Sequence, residues 1–316
     1  MTASCLDDLP PEVQRLLASA TRMETTLATG ADTGGMVWHV WQAESDQSAN
    51  ACPPVVLLHG GSGSWTHWLR NIDALVASGR QVYAADLPGF GDSAAPARGT
   101  DADALTEPVE RGLQQLLGST ACDLVAFSFG GMVAGFIAAQ FPARVHRLVL
   151  VGAPGLGVAS RNTVTLTAWR HLEGAVEREA VHRKNLAALM LHHPESVTQL
   201  ALRLHTDNTL RDRMKGRRLA YSEALAQALS KVRCPVHAIY GREDALYRQR
   251  QDALLQALHA APHFDGLQWI EDAGHWVQFE RQPAFDAALL AILEPAGESI
   301  RLPHLLSKSV SPAHVQ

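Results

Sequence analysis

The stretch Asp123-Leu124-Val125-Ala126-Phe127-Ser128-Phe129-Gly130-Gly131 decides how this chain is read. An apolar run typical of a buried strand ends at a serine. Two glycines then open a second apolar segment, Met132 to Phe141, which Pro142 stops. A strand–serine–helix junction of this kind is a nucleophile elbow, a tight turn that lifts one hydroxyl above the edge of a sheet. The usual form is G-x-S-x-G. Here Ala126 stands at the first glycine position, and alanine is small enough for the turn. A lone serine is a weak nucleophile, so the elbow has chemical meaning only if the chain also supplies a base and an acid.

Outward from the elbow, strand and helix patterns alternate. Val55 to Leu58 is a continuous apolar run, as in a strand buried on both faces. Gln81–Leu87, Arg147–Val151, Val236–Tyr240 and Leu267–Ile270 read as further strands, and Met36–Trp41 alternates as a strand does. Helical patterns fall near Trp68–Ala77 and Pro283–Leu293. This rhythm predicts the α/β class, with a doubly wound, mostly parallel sheet. The rhythm breaks over 155–231, where the patterns are almost all helical, as in Asn185–Leu191. The expected organisation is therefore an N-terminal helical arm over 1–34, with a helix from Pro11 to Arg22. A sheet core over 35–154, a helical cap or lid over 155–231, a second core part over 232–295 and an irregular tail over 296–316 follow.

Bulk properties bound the function. The chain has 316 residues, 47% hydrophobic and 19% charged, which suits one large domain with an insertion. A net charge of -5 argues against nucleic-acid binding, which needs a basic surface. Cys5, Cys52, Cys122 and Cys234 are widely spaced, with no C-x-x-C pair, and read as free thiols of a reducing compartment. Asp7 and Asp8 stand where a secretory leader is basic, and no apolar run is long enough to span a bilayer. The expectation is a cytoplasmic protein without a membrane partner. A homodimer, the commonest assembly, stays open. Residues 161–233 carry 13 Lys/Arg against 7 Asp/Glu, so the insertion is basic on an acidic body. That asymmetry suits either anionic substrates or a solvated helical surface.

A nucleophilic serine needs a base to take its proton and an acid to orient that base. In sheets that carry such an elbow the chain order is serine, acid, histidine. Gly241-Arg242-Glu243-Asp244 follows one strand and Asp272-Ala273-Gly274-His275 follows the next, so both candidates lie at C-terminal strand ends, where open α/β sheets build their sites. Asp244 is the leading acid, with Glu243 and Asp272 as alternatives, and His275 is the base. His59-Gly60-Gly61-Ser62-Gly63 follows a buried strand and reads as an oxyanion loop. The two donors expected for the oxyanion are the N–H groups of Gly61 and Phe129, and Ser62 adds a substrate contact. His59 reads as structural, and Asp86 in Asp86-Leu87-Pro88-Gly89-Phe90-Gly91 as a scaffold residue bonded to nearby backbone. His171, His182, His192 and His193 lack the spacing of a zinc site, so no metal and no cofactor are expected.

L-L-H-G-G-S-G (57–63), D-L-P-G-F-G-D-S (86–93), A-F-S-F-G-G (126–131), G-R-E-D (241–244) and G-H-W-V-Q-F-E (274–280) together resemble the α/β-hydrolase superfamily over about residues 35–295. Within it, S-F-G-G and G-H-W with a following Q-x-E look most like the carbon–carbon bond hydrolases that cleave aromatic meta-cleavage products. The resemblance implies the α/β-hydrolase fold with an inserted helical lid, and a pocket role for Trp276. It also implies a small-molecule carbonyl substrate: an ester, a lactone or a dienoate-type diketone. That group's elbow carries asparagine where Phe127 stands. Its carboxylate-binding lid arginine has no clear counterpart: Val197–Thr206, laid against that region, puts His205 or Arg203 near the position. A cofactor-free lyase and a non-catalytic, receptor-like binding protein are the alternatives the same scaffold allows. Haloalkane dehalogenases and epoxide hydrolases are disfavoured, because they need aspartate at position 128.

Overall fold

The computed structural model describes residues 9–27, 34–43, 52–160 and 162–294. Cys5, Asp7, Asp8 and the tail expected over 296–316 lie outside the described residues. Eight strands form one sheet: β1 (Thr21–Thr26), β2 (Gly35–Trp41), β3 (Val55–Leu58), β4 (Val82–Ala85), β5 (Cys122–Phe127), β6 (Val145–Val151), β7 (Val236–Gly241) and β8 (Phe264–Ile270). Their spatial order is β1-β2-β4-β3-β5-β6-β7-β8. β1 and β2 pair antiparallel, as do β2 and β4, and every other pairing is parallel.

The continuous apolar reading of the central strands follows from burial on both faces. Val56 and Leu58 enter one hydrophobic cluster with Leu124 and Ala126. Val55 and Leu57 enter the opposite cluster with Val125 and Phe127. Successive strand residues point to opposite faces, so both sets must be apolar. Ten helices are numbered in chain order: α1 (Pro11–Ser19), α2 (Ile72–Ala77), α3 (Thr106–Leu117), α4 (Phe129–Gln140), α5 (Ala175–Asn185), α6 (Gln199–Leu210), α7 (Ala224–Leu229), α8 (Gln251–Leu258), α9 (Val277–Glu280) and α10 (Gln282–Leu293).

The segment expected as a helical arm contains a strand as well as a helix. The chain is extended at Ala20, and Thr21 and Arg22, expected at the helix end, begin β1. β1 is an edge strand, exposed along most of its length, with Arg22 and Glu24 on it. Charges on an edge discourage pairing with another sheet. The sequence of β1, Thr-Arg-Met-Glu-Thr-Thr, has no apolar alternation, which is why it carries no strand signal.

Between β6 and β7 every element among the described residues is helical: α5, a π turn over Leu186–Met190, α6, α7 and short 3-10 turns over Pro194–Ser196 and Leu219–Tyr221. Hydrogen bonds tie this segment to loops of the sheet body. Asn208 of α6 accepts from Ser64 Oγ at 2.8 Å and donates to Thr66 Oγ1 at 3.0 Å. Glu280 of α9 accepts from the backbone N–H groups of His192 (3.0 Å) and His193 (2.8 Å).

α4 packs directly against the end of β3. A Cβ at Gly130 would lie 2.5 Å from the His59 carbonyl oxygen and 2.8 Å from that of Leu58. Backbone atoms of a buried strand cannot yield, so Gly130→Ala should destabilise the protein by roughly 1–3 kcal/mol. The check is the urea midpoint at pH 7; a midpoint equal to that of the parent protein would contradict this close packing.

Candidate active site

The last residue of β5, Phe127, leads into Ser128, whose backbone has φ 49° and ψ -118°. Such a conformation is rare for a residue with a side chain and costs on the order of 1–3 kcal/mol. It is held from both sides: Ser128 N–H donates to the Val151 carbonyl at 2.7 Å, and the Ser128 carbonyl accepts from Gly131 N–H at 2.8 Å. The hydroxyl is thereby presented at the C-terminal edge of the sheet.

Ser128 Oγ lies 2.9 Å from His275 Nε2, and His275 Nδ1 lies 2.8 Å from Asp244 Oδ2. His275 and Asp244 are both buried. The second carboxylate oxygen of Asp244 accepts from Leu246 N–H at 2.9 Å, which fixes the carboxylate plane. Of the alternative acids, Glu243 is half-buried and Asp272 exposed, and neither bonds His275.

Gly61, Ser62 and Phe129 line the same cavity as Ser128 and His275; its volume is about 500 Å³. The first N–H groups of a helix have no acceptor within it, so the Phe129 N–H at the start of α4 is available to a ligand. The His59–Gly63 loop is shaped by two histidines. His59 Nε2 accepts from Leu87 N–H at 2.9 Å, which makes Nδ1 the donor to the Gly60 carbonyl at 2.7 Å. Burial pushes its pKa down to about 4, so the ring is neutral, in keeping with the structural role expected for it. His67 Nδ1 accepts from Gly60 N–H at 3.2 Å, and burial holds its pKa well below the ordinary histidine range. Asp86 accepts from Trp65 N–H and Asp92 N–H, both at 2.9 Å, as a scaffold residue would.

The rest of the cavity wall is largely apolar: Pro154, Val164, Leu189, Met190, Met214 and Leu246. Phe127 also lines it, with its ring 5.0 Å from that of His275. Trp276, expected at the substrate, does not line the cavity. Its indole stacks on Phe279 at 4.1 Å and its N–H donates to the His67 carbonyl at 3.0 Å. The ring therefore braces the histidine loop from behind. Arg203 is paired with Asp207 at 2.7 Å, and neither Arg203 nor His205 lines the cavity.

Two residues near the site carry functions that their local sequence does not announce. Glu280 accepts from Gly274 N–H at 2.6 Å and from His192 and His193, so one carboxylate binds the histidine loop to the helical insertion. Arg217 is the one lysine or arginine among the described residues that line the cavity. Its Nη2 donates to Asp212 Oδ2 at 2.9 Å and to Ser62 Oγ at 3.2 Å, while the Ser62 hydroxyl donates to Asp212. Other arginines of the basic insertion are spent on pairs, as with Arg183–Glu179 and Arg211–Asp92.

A mostly parallel sheet with a serine elbow, a serine–histidine–aspartate chain and a helical insertion over the strand ends defines a class. The chain belongs to the α/β hydrolase fold family, which matches residues 53–282. One relative, the dihydrolipoyllysine-residue acetyltransferase component of the acetoin cleaving system of Pseudomonas putida, is 34% identical over 253 residues. That match covers 76% of this chain and 63% of the relative, so the chain spans less than two thirds of that protein. A 2-hydroxy-6-oxononadienedioate/2-hydroxy-6-oxononatrienedioate hydrolase of Burkholderia vietnamiensis is 29% identical, over 76% of this chain and 86% of its own length. Among solved structures, a meta-cleavage product hydrolase from Pseudomonas fluorescens superposes with a TM-score of 0.65 at 24% identity, covering 85% of this chain and 96% of its own. A carboxylesterase from Bacillus subtilis gives 0.66 at 19% identity, covering 89% of this chain and 95% of its own. These likenesses establish the fold. No helix among the described residues is long and apolar enough to cross a membrane.

Two histidines shifted by desolvation make stability depend on pH. His59 and His205 have pKa values pushed down to about 4 in the fold, against 6.5 ordinarily. Between these values the unfolded chain binds more protons than the folded one. Their contribution is therefore complete above about pH 6.5 and is lost as pH falls toward 4. The urea midpoint should fall over that window, and His205→Gln should make the fall shallower. An equally steep fall in the variant would remove His205 from the account.

Proposed function

We propose that the protein is a serine hydrolase whose triad is Ser128, His275 and Asp244. The observation that carries this reading is the continuous hydrogen-bond chain of 2.9 Å and 2.8 Å from Oγ to carboxylate, opening into a cavity at the elbow. His275 takes the Ser128 proton on Nε2 as Oγ attacks a carbonyl carbon. Asp244, accepting from Nδ1–H, fixes the tautomer and stabilises the imidazolium. The carbonyl oxygen, now negative, is held by the N–H groups of Gly61 and Phe129. Collapse of the adduct expels the leaving group, which receives the proton from His275. A water molecule then repeats the sequence on the acyl-enzyme and frees Ser128 and the acid.

The substrate class is a small carbonyl compound with an apolar acyl part, an ester or lactone, because the cavity wall is mainly aliphatic and aromatic. A second reading is cleavage of a carbon–carbon bond in a dienoate-type diketone. It is favoured by the relatives named 2-hydroxy-6-oxononadienedioate hydrolase. In that case His275 would first assist ketonisation of the dienol. Ser62 borders the same cavity and is a candidate for substrate contact. A cytoplasmic setting and a homodimer are consistent with this reading.

Ser128→Ala should lower turnover of p-nitrophenyl esters by on the order of 10³–10⁶ and abolish labelling by a fluorophosphonate probe. Labelling of a different residue in the folded parent protein would place the nucleophile elsewhere. Asp244→Asn should impair catalysis far more than Glu243→Gln; the reverse ranking would transfer the acid to Glu243. A panel of esters of varied acyl length beside one dienoate separates the two substrate readings.

A further inference from the structure

Arg217 has one half of its guanidinium engaged and one half free. Nη2 is bonded to Asp212 and Ser62. Nη1 is buried and has no hydrogen-bond acceptor among the described residues. A buried donor without a partner is costly, and a ligand atom that accepts from it removes that cost. Its position says which ligand atom that is. A Cβ built on Gly61 would lie 2.9 Å from Arg217 Nη1 and 3.6 Å from Phe129 Cβ. Nη1 thus stands against the oxyanion loop, on the side of Gly61 that faces Phe129.

The arginine is held there in advance. Its guanidinium lies 5.4 Å from the ring centres of both Phe90 and Phe129. Asp212, which grips Nη2, has its other oxygen bonded to Met214 N–H at 2.9 Å. The surrounding loop is pinned to the sheet body by Arg213 N–H to the Gly89 carbonyl and by Leu219 N–H to Asp101, both at 2.9 Å. A donor fixed before the reaction needs no reorganisation when charge develops.

We propose that Arg217 Nη1 is a third hydrogen-bond donor to the reacting carbonyl oxygen, beside the N–H groups of Gly61 and Phe129. The proposal rests on the serine-hydrolase reading above. As the Oγ–carbon bond forms, the carbonyl π pair moves onto oxygen and the Oγ proton moves to His275 Nε2. Arg217 stays protonated throughout and donates a charge-assisted hydrogen bond to the new oxyanion. Asp212 neutralises the guanidinium before the reaction, so a neutral substrate carbonyl gains little from it in the ground state. The interaction grows as the oxygen becomes negative. It therefore acts on kcat more than on KM.

The test compares the parent protein, Arg217→Met, Arg217→Lys and Ser128→Ala on p-nitrophenyl butyrate, with thermal unfolding measured for each. Arg217→Met should lower kcat by on the order of 10²-fold, the scale of losing one oxyanion donor, with KM changed by less than about threefold. Arg217→Lys should restore part of the loss. Affinity for a phenylboronic acid, whose serine adduct carries the negative charge, should fall alongside kcat. Retained kcat in Arg217→Met would overturn the proposal. So would a loss carried by KM and confined to an anionic ester such as p-nitrophenyl succinate, which would make Arg217 a reader of substrate charge. If Arg217→Met fails to fold, the shorter, uncharged Arg217→Gln decides: wild-type kcat and boronate affinity there refute the proposal. Ser128→Ala separates the two levels. Full activity in that variant removes the serine-hydrolase reading itself, whereas an inactive Ser128→Ala beside a fully active Arg217→Met removes only the role of Arg217.

Discussion

The rest of the site depends on one backbone constraint, the positive φ of Ser128. The turn is unfavourable in isolation, and it persists because both neighbours of the residue are immobilised. Phe127 ends a central strand that pairs with β3 and β6. Gly130 is pressed onto the carbonyl groups of Leu58 and His59. The strand thus cannot lengthen and the helix cannot back away, so the chain reverses at one residue. The same contact puts the loop that begins at His59 beside the start of α4. Ser128 and the donors proposed for the oxyanion are therefore set by a single packing event.

The histidine arm of the site is positioned from a different direction. Gly241 must pass so close to the Gly274 carbonyl that a Cβ there would lie 2.2 Å from it, which brings the ends of β7 and β8 together. Asp244 and His275 meet as a result. Glu280 then collects N–H groups from Gly274, His192 and His193. One consequence is mechanical. Displacement of the Leu191–His193 segment of the insertion must disturb Gly274, the residue before the base. Leu189 and Met190, which line the cavity from the π turn that precedes this segment, are thereby linked to the placement of the imidazole.

What the chain alone discloses is whatever lies in contiguous residues. The elbow, Asp244, His275, Gly61 and Phe129 are legible because each sits at a strand end with its own short pattern. The central strands are legible because burial on both faces leaves an unbroken apolar run. β1 is not, since an edge strand that faces solvent needs no apolar alternation. Trp276 is legible as a large side chain beside the base, but its direction is set by Phe279 and the His67 carbonyl, which no local pattern reveals. Arg217 is the extreme case. It comes from a loop rich in arginines, and its partner Ser62 is 155 positions away. Only the fold distinguishes it from Arg213, which donates to backbone carbonyls of the 90–93 turn, or from Arg211, which pairs with Asp92.

Phe127 links the geometry to the electrostatics. Its ring lies 5.0 Å from His275 and 5.3 Å from His67, where a polar side chain would offer a hydrogen bond. Phe127 offers the ring no hydrogen bond, so on the proposed mechanism the imidazolium meets its opposite charge at Asp244, on the Nδ1 side. On the opposite side of the reacting atoms, the negative charge that appears with the imidazolium faces Arg217. In such a weakly polarisable setting the two charges created by proton transfer are worth most when each meets a fixed partner of opposite sign. The aspartate behind the histidine and the arginine behind the oxyanion loop form that arrangement. The Asp212 carboxylate keeps the arginine from holding an unpaired charge in the cavity before the reaction begins.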